Sequence, residues 1–298
     1  MTTTDFSTRV ASSFRCAHGV LAALAAALVF LPSIAAAQQV SLGTAANFGV
    51  LAATAVTNTG PSGVNGNVGV SPGTAVVGFP PGTFTGTLHT GNAVALQAQT
   101  DLTAGFNTAT MKACGFNLVN PELGGLTLTP GVYCFAAGAG LTGALTLDFQ
   151  GNPNAEFLFK TASSLVTASG SNVVAVNTGG ATCLPNLNWQ VGSSATLGTN
   201  SNFAGNILAQ SSITLTTGAN LRGRALARTA AVTLDSNGSV GGCPIAAGSV
   251  GGPVPGVGGS GVQAVPTLQE WSLVLLALAL AAAGARYARR RGHPAARR

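Results

Sequence analysis

The sequence predicts a mainly β fold: a β-solenoid of roughly triangular cross-section with one long α-helix packed alongside. Three observations carry this. First, Ser193–Ala209 (SSATLGTNSNFAGNILA) and Ser211–Ala227 (SSITLTTGANLRGRALA) align at a shift of 18 residues, which puts Thr196 on Thr214, Leu197 on Leu215, Thr199 on Thr217, Asn202 on Asn220 and Gly205 on Gly223. Ala231-Val232-Thr233-Leu234-Asp235 follows Ser212-Ile213-Thr214-Leu215-Thr216 at a shift of 19. Second, within each repeat, apolar and small polar residues alternate over about five positions bounded by Gly or Asn, the pattern of a strand half buried against a core. Some three such segments per period make a solenoid coil, with Leu and Val stacked inside and Thr and Ser outside. Third, one stretch breaks the alternation and shows helical periodicity instead.

Taken along the chain, the first element is a leader. Arg9 and Arg15 precede the apolar run Val20–Leu31, and Ala35-Ala36-Ala37 supplies the small residues of a cleavage site, so residues 1–37 read as a signal peptide. The solenoid domain is predicted over 38–243. In its first part Val64–Val70 (VNGNVGV) echoes FAGNILA and LRGRALA of the later repeats. A helix is predicted over about 92–113, because Ala95, Ala98, Leu102, Phe106 and Ala109 share one face and Asn92 suits an N-cap. It is read as a lid along one side of the solenoid, with Asp101 a capping or solvated charge. Leu126-Thr127-Leu128 and Leu145-Thr146-Leu147, 19 apart, resume the strand pattern before the repeats described above. In the second of those repeats, Ile213 and Leu215 are predicted to face inward and Thr214 and Thr216 outward. The chain then turns at Gly218, and LRGRALA forms the next side. Residues 244–264 are rich in Gly, Pro and Ser and uncharged, as in a flexible linker. The apolar run 271–287 approaches the length of a membrane helix, and the arginines after it predict a cytoplasmic C-terminus.

Composition excludes several functions. The sequence pI near 9.6 belongs to the two ends, since the domain itself carries five Lys/Arg and five Asp/Glu. Arg222, Arg224 and Arg228 are too few for a phosphate-binding surface, so no nucleic-acid partner is predicted. Cys114, Cys134, Cys183 and Cys243 form an even set in an exported domain, where two disulfides are expected. Three pairings are possible. Cys114–Cys134, closing a short excursion, with Cys183–Cys243, tying the last coil back, is the favoured one. No CxxC spacing occurs and His89 is the domain's single histidine, so neither a metal site nor a cofactor is predicted. Glycoside cleavage needs two facing carboxylates, and the acids are scattered; Asp148 and Asp235, both at strand ends, read as turn caps. The chain is therefore read as a non-enzyme.

Blocks such as LGTAANFGVLAATAVTNTG, LGGLTLTPGVYCF, LTLDFQGNPNAEFLFK and the repeats from Trp189 resemble, in order, the bacterial and fungal ice-binding protein family from about Val40 to Ser239. The resemblance implies a right-handed, discontinuous β-solenoid with a helix alongside, and an ice crystal surface as partner. It also implies a flat ice-facing side carrying a Thr-Ala/Gly-x-Thr/Asn motif. Thr44-Ala45-Ala46-Asn47 and Thr217-Gly218-Ala219-Asn220 match that motif in full, whereas Thr59 to Ser62, Thr199 to Asn202 and Ser236 to Ser239 are looser copies. In this reading Thr217 stacks on Thr199 and Asn220 on Asn202 in one exposed row, with Thr214 on a different side of the triangle. Thr suits ice because a stiff χ1 holds its methyl and hydroxyl in fixed places. Val265-Pro266-Thr267-Leu268, followed by Trp271, the apolar run and the arginines, resembles an IPTL-type C-terminal sorting signal. That resemblance implies processing by an exosortase-type peptidase, transient attachment to the membrane through 271–287, and a place in the envelope or outside a Gram-negative cell. The competing reading is a structural or adhesive surface protein without ice activity.

Overall fold

In the computed structural model, residues 39–243 are described, except residue 182. The signal peptide, the linker from residue 244 and the sorting signal with Val265, Pro266, Thr267, Leu268, Trp271 and the apolar run lie outside the described residues. Among the described residues no helix is long and apolar enough to cross a membrane.

A 3-10 turn (Gly43–Asn47) leads into β1 (Phe48–Ala52), β2 (Ala55–Thr59) and β3 (Gly63–Asn65), one strand for each side of a first coil. β4 (Asn67–Val70), β5 (Ala75–Val77) and β6 (Thr83–Phe84) repeat the circuit, and β7 (Leu88–Thr90) begins another. Helix α1 (Ala93–Met111) follows, slightly shorter than its sequence expectation. After β8 (Phe116–Leu118) and β9 (Thr127–Leu128), a second block starts with β10 (Gly131–Phe135), β11 (Ala139–Leu141) and β12 (Ala144–Asp148). The next coils are β13 (Phe157–Thr161), β14 (Leu165–Thr167) and β15 (Asn172–Val176), then β16 (Leu187–Val191), β17 (Ala195–Leu197) and β18 (Asn202–Ala204). The last two are β19 (Asn206–Ala209), β20 (Ile213–Leu215) and β21 (Asn220–Arg222), and β22 (Ala225–Ala227), β23 (Val232–Asp235) and β24 (Val240–Gly241).

The strands assemble into three parallel sheets. The helix face has the order β7-β4-β1-β22-β19-β16-β13-β10-β8, the threonine face β11-β14-β17-β20-β23-β2-β5, and the asparagine face β6-β3-β24-β21-β18-β15-β12-β9. Chain order and spatial order differ. The first strand, β1, lies against β22 of the last coil, with Leu51 opposite Leu226, so the solenoid is discontinuous. The N-terminal coils grow away from that seam to one end, and the second block begins at the far end and grows back to it. On the helix face the two ends are eight strand spacings apart, about 38 Å at ~4.8 Å each. Helix α1, 19 residues and so about 28 Å long, covers most of that return.

The core fills itself from the alternation. Tyr133, Phe159 and Trp189 stack from strand to strand with ring centroids 5.3 and 4.0 Å apart, and the exposed Phe116 stacks on Tyr133 at 4.8 Å at the end of the ladder. Toward the seam the ladder narrows to Ile207, Ala225 and Val50. Helix-face strands are not half buried as their alternation alone predicts. Leu51, Leu158, Leu208 and Leu226 point outward yet are fully buried, because α1 lays Ala98, Leu102, Phe106 and Ala109 on them. Asn92 caps the helix as expected, its Oδ1 accepting from the Ala95 amide at 3.0 Å. Lys160 closes the other end by donating to the Thr110 and Lys112 carbonyls at 2.8 and 2.6 Å, where cations complement the helix dipole.

The disulfides join Cys114 to Cys134 and Cys183 to Cys243. The first pins the exit of α1 to β10. LRGRALA forms two sides rather than one, because β21 ends at Arg222 and β22 starts at Ala225. Gly223, at φ +147° between them, makes the corner; a Cβ there would lie 2.0 Å from the Gly205 carbonyl oxygen of the neighbouring coil. VNGNVGV and FAGNILA turn the same corner at Gly66 and Gly205.

Candidate functional site

The threonine face is built by register. Thr196 pairs with Thr214, Thr214 with Thr233 and Thr233 with Thr57, so four threonines of four adjacent strands form one column. Val77 continues the column at one end and Val166 and Gly140 at the other. Their neighbours along each strand, such as Ile213 and Leu215, are fully buried, so the column projects outward. Beside it Ser194 and Ser212 share a hydrogen bond of 2.9 Å. The side chains are short and uncharged, repeat at ~4.8 Å, and are fixed at χ1 by β-branching. Seven strands give this surface a run of about 29 Å.

The motif residues sit at the edge of this surface, not across it. Thr59, Thr199 and Thr217 lie just where the chain leaves the threonine face. Asn202 and Asn220 are the first residues of β18 and β21, on the next side. Between them Asn200, Gly218, Ser236 and Gly60 all take positive φ, at 56°, 71°, 50° and 74°, and stack as one left-handed turn ladder. Thr217 and Asn220 therefore face different directions, and Thr214 lies on the threonine face beside Thr217. This reverses the sequence assignment, which put Thr217 and Asn220 on one face and Thr214 on another. The reason is the turn: an αL residue bends the strand path within the four-residue motif.

The other motif residues divide. Ser62 is only 1 % exposed and its hydroxyl accepts from the buried Asn237 amide, so it belongs to the inside of the turn and to no outer face. Thr44 and Asn47 lie in the 3-10 turn outside all three sheets. The Thr44 hydroxyl and amide both donate to Asp101 Oδ2, at 2.6 and 2.7 Å, which docks that turn on α1. Asp101 thus caps that turn, one of the two roles expected of it, and the Thr44 hydrogen bonds hold its carboxyl below the usual carboxylate range. Ser239 is half buried, and its amide donates to Asn220 Oδ1 at 3.0 Å. On that side Asn172, Asn202 and Asn220 form a ladder, amide to carbonyl, at 3.1 and 3.2 Å.

Charge stays at the margins. Asp235 lies at the turn edge, where it accepts from the Thr217 hydroxyl at 2.5 Å. It occupies that slot because its coil has one residue fewer between strand and turn: Leu215 pairs with Leu234 at a shift of 19, but Gly218 stacks on Ser236 at 18. Asp148 accepts from the Gln150 amide at 2.9 Å and from Asn177, which keeps its carboxyl below the usual range. For Glu122 burial pushes the carboxyl up, but the amides of Gly124 and Thr142 outweigh it and the net shift is downward. These acids sit in separate turns, each engaged in ordering its own loop. Among the described residues no group of three or more His, Cys, Asp or Glu is placed to hold a metal ion.

The four face threonines were the residues missed in sequence. Their signal was present in the 18- and 19-residue alignment of Ala-Thr-Leu, Ile-Thr-Leu and Val-Thr-Leu, but periodicity does not say which side of a triangle a strand joins.

Comparison with known proteins places this geometry. Residues 50–240 match the model of the ice-binding-like family, and residues 263–291 that of the IPTL-CTERM motif. An ice-binding protein of Nostoc sp. (strain HG1) is 49% identical over 221 residues, 74% of this chain and 81% of that protein. The crystal structure of an ice-binding protein from the Antarctic ascomycete Antarctomyces psychrotrophicus aligns with TM-score 0.65 at 39% identity, covering 68% of this chain and 98% of the other. One from an Antarctic biological consortium aligns with TM-score 0.65 at 42% identity, covering 68% and 90%.

Proposed function

This chain belongs to the ice-binding-like family, and from that premise we propose that it is an exported protein that binds ice through its threonine face. The observation that carries the choice of face is the unbroken register Thr196–Thr214–Thr233–Thr57. Ice is a neutral periodic lattice, so its binder needs low relief, rigidity and repeated short groups rather than charge. The helix face is covered by α1, and the asparagine ladder spends its amides on one another. The threonine face alone combines free hydroxyls and methyls in a straight row, and Thr59, Thr199 and Thr217 border it at the turn edge, the Thr199 and Thr217 hydroxyls already bonded to Thr216 and Asp235. Rigidity comes from the parallel ladders beneath and from β-branching at χ1.

The ends of the chain fit the same proposal. Residues 1–37 act as the export signal, and the IPTL-CTERM match over 263–291 is read as the substrate of an exosortase-type peptidase in a Gram-negative envelope, with 271–287 held in the membrane until cleavage.

The test is ice recrystallisation inhibition and ice-affinity partitioning of oxidised residues 38–243. A stretch of this extent stands alone in solved relatives, where it covers 98% of the partner chain. The domain is expected to enter the ice fraction and to halt crystal coarsening at micromolar concentration. If it remains wholly in the liquid and leaves crystal growth unchanged, the structural or adhesive reading without ice activity takes its place.

A further inference from the structure

The described chain stops at one vertex, and the turn near its start is held at the same vertex. β24 lies on the asparagine face, third of eight strands from one end, and its Gly241 bridges Gly223, the residue that turns the neighbouring coil toward the helix face. Cys243 follows and is bonded to Cys183, which lies between β15 and β16 at the same corner, further along the stack. The N-terminal 3-10 turn is held there too, by Arg224 Nε donating to the Ala46 carbonyl at 2.8 Å. In a three-sided coil, the vertex between two sides lies opposite the third, which here is the threonine face. Neither end of the described chain lies on that face.

The final strand is weakly held on its own. β24 has two residues, paired with Leu221 and Arg222 on one side and with Val64 and Asn65 on the other. A pull on the chain beyond residue 243 would unzip so short a strand. The Cys183–Cys243 bond diverts that pull past β24 into the corner between β15 and β16, strands with five residues each, paired on both sides. Residues 244–262 separate this clamp from the start of the matched sorting motif, a reach of at most about 65 Å.

We infer that this protein works while tethered, as an adhesin that holds the cell envelope to ice, with its threonine face left clear by the vertex at which residue 243 leaves the solenoid and the Cys183–Cys243 bond carrying the tension. The inference rests on the ice-facing reading above. Many copies on one surface engage the crystal together, so retention gains from multivalency without any new contact.

The experiment uses cells that carry an exosortase-type peptidase and export the full chain, presented to an ice surface under flow. Cells displaying the full chain are expected to stay on ice roughly tenfold or more above cells exporting a chain truncated after residue 262, which releases the protein. Thr214→Tyr on the full chain should bring retention down to that of the truncated form. The double variant Cys183→Ser, Cys243→Ser, purified as the free domain, should keep its recrystallisation inhibition, yet displaying cells should detach at lower shear. Equal retention of full-chain and truncated cells overturns the inference, as does undiminished retention of Thr214→Tyr or unchanged shear resistance of the cysteine variant. If the purified domain acts on ice and the cells are not retained, only the tethered role fails. If the purified domain itself is inactive, the ice-facing reading fails first.

Discussion

Thr214 and Thr217 are three residues apart and differ in what surrounds them. Thr214 sits within the column, between Thr196 and Thr233. Thr217 is at the turn edge with its hydroxyl already given to Asp235. A tyrosine at Thr214 would raise a ring from the middle of the face and is expected to remove most ice activity. The same ring at Thr217 has room to lean over the edge, so its loss should be partial. Both sites are at least partly exposed, and each change should alter stability by no more than about 0.5 kcal/mol. Thermal hysteresis beside melting temperature checks this, and a silent Thr214→Tyr in an ice-active protein would move the site off this face. Asp101 gives a different test. Its folded-state carboxyl is depressed, so its contribution is present above the unfolded value near ~3.9 and is lost as pH falls through the folded one. Between pH 7 and pH 3 the wild type should lose more melting temperature than Asp101→Asn. The gap should be small, because the group is partly exposed and so screened. Identical pH profiles would show that the Thr44 contacts add nothing.

Helix α1 is the element that makes a discontinuous stack possible. It carries the chain from β7 back toward β8, and it converts the outer surface of one sheet into core. Leu102 and Phe106 do most of that work, each fully or nearly fully buried against Leu51, Leu158, Leu208 and Leu226. Leu102→Ala is expected to cost about 2–5 kcal/mol, the transfer term plus a cavity that rigid strands cannot close. Asn92→Ala removes the N-cap and should cost about 1 kcal/mol. Denaturant midpoints measure both. A Leu102→Ala protein as stable as wild type would mean that α1 is a loosely laid lid and that the sheets hold without it.

For the whole molecule, the critical joint is the seam where the first and last coils pair. Val50 meets Ala225, Val56 meets Val232 and Val64 meets Val240, so contacts between the earliest and latest residues hold the stack closed. The Cys183–Cys243 bond closes a 60-residue separation beside that seam, and Cys114–Cys134 one of 20. On chain entropy alone these add about 4 and about 3 kcal/mol, respectively. Intact oxidised protein is therefore expected to show no alkylatable thiol among the four cysteines. Reduction should lower the melting temperature and expose the amides of β24 to hydrogen exchange before those of β16. Protection of β24 that survives reduction would show that strand pairing alone holds the seam.

Much of this was legible in sequence because it follows from local pattern. The coil period, the inward Ile213 and Leu215, the N-cap at Asn92 and the helix face from Ala95 to Ala109 are all set by neighbours within a turn or a strand. The cysteine count narrowed the crosslinks to three pairings, and the folded chain chose among them. What the sequence left open was the phase of each segment around the triangle. Leu145-Thr146-Leu147 and Ile213-Thr214-Leu215 read alike, yet the first lies on the asparagine face and the second on the threonine face. Alternation fixes in from out, but only the corners decide which side a strand joins. Those corners depend on positive-φ residues such as Asn200 and Ser236 and on the residue missing before Asp235. Hence Thr217 and Asn220, one motif in sequence, separate onto two faces, Ser62 turns inward and Thr44 is drawn to the helix. Thr57, 176 residues before its column neighbour Thr233, joins Thr196, Thr214 and Thr233 only because the first coil packs against the last. That pairing couples residues far apart in the chain, and no local pattern encodes it.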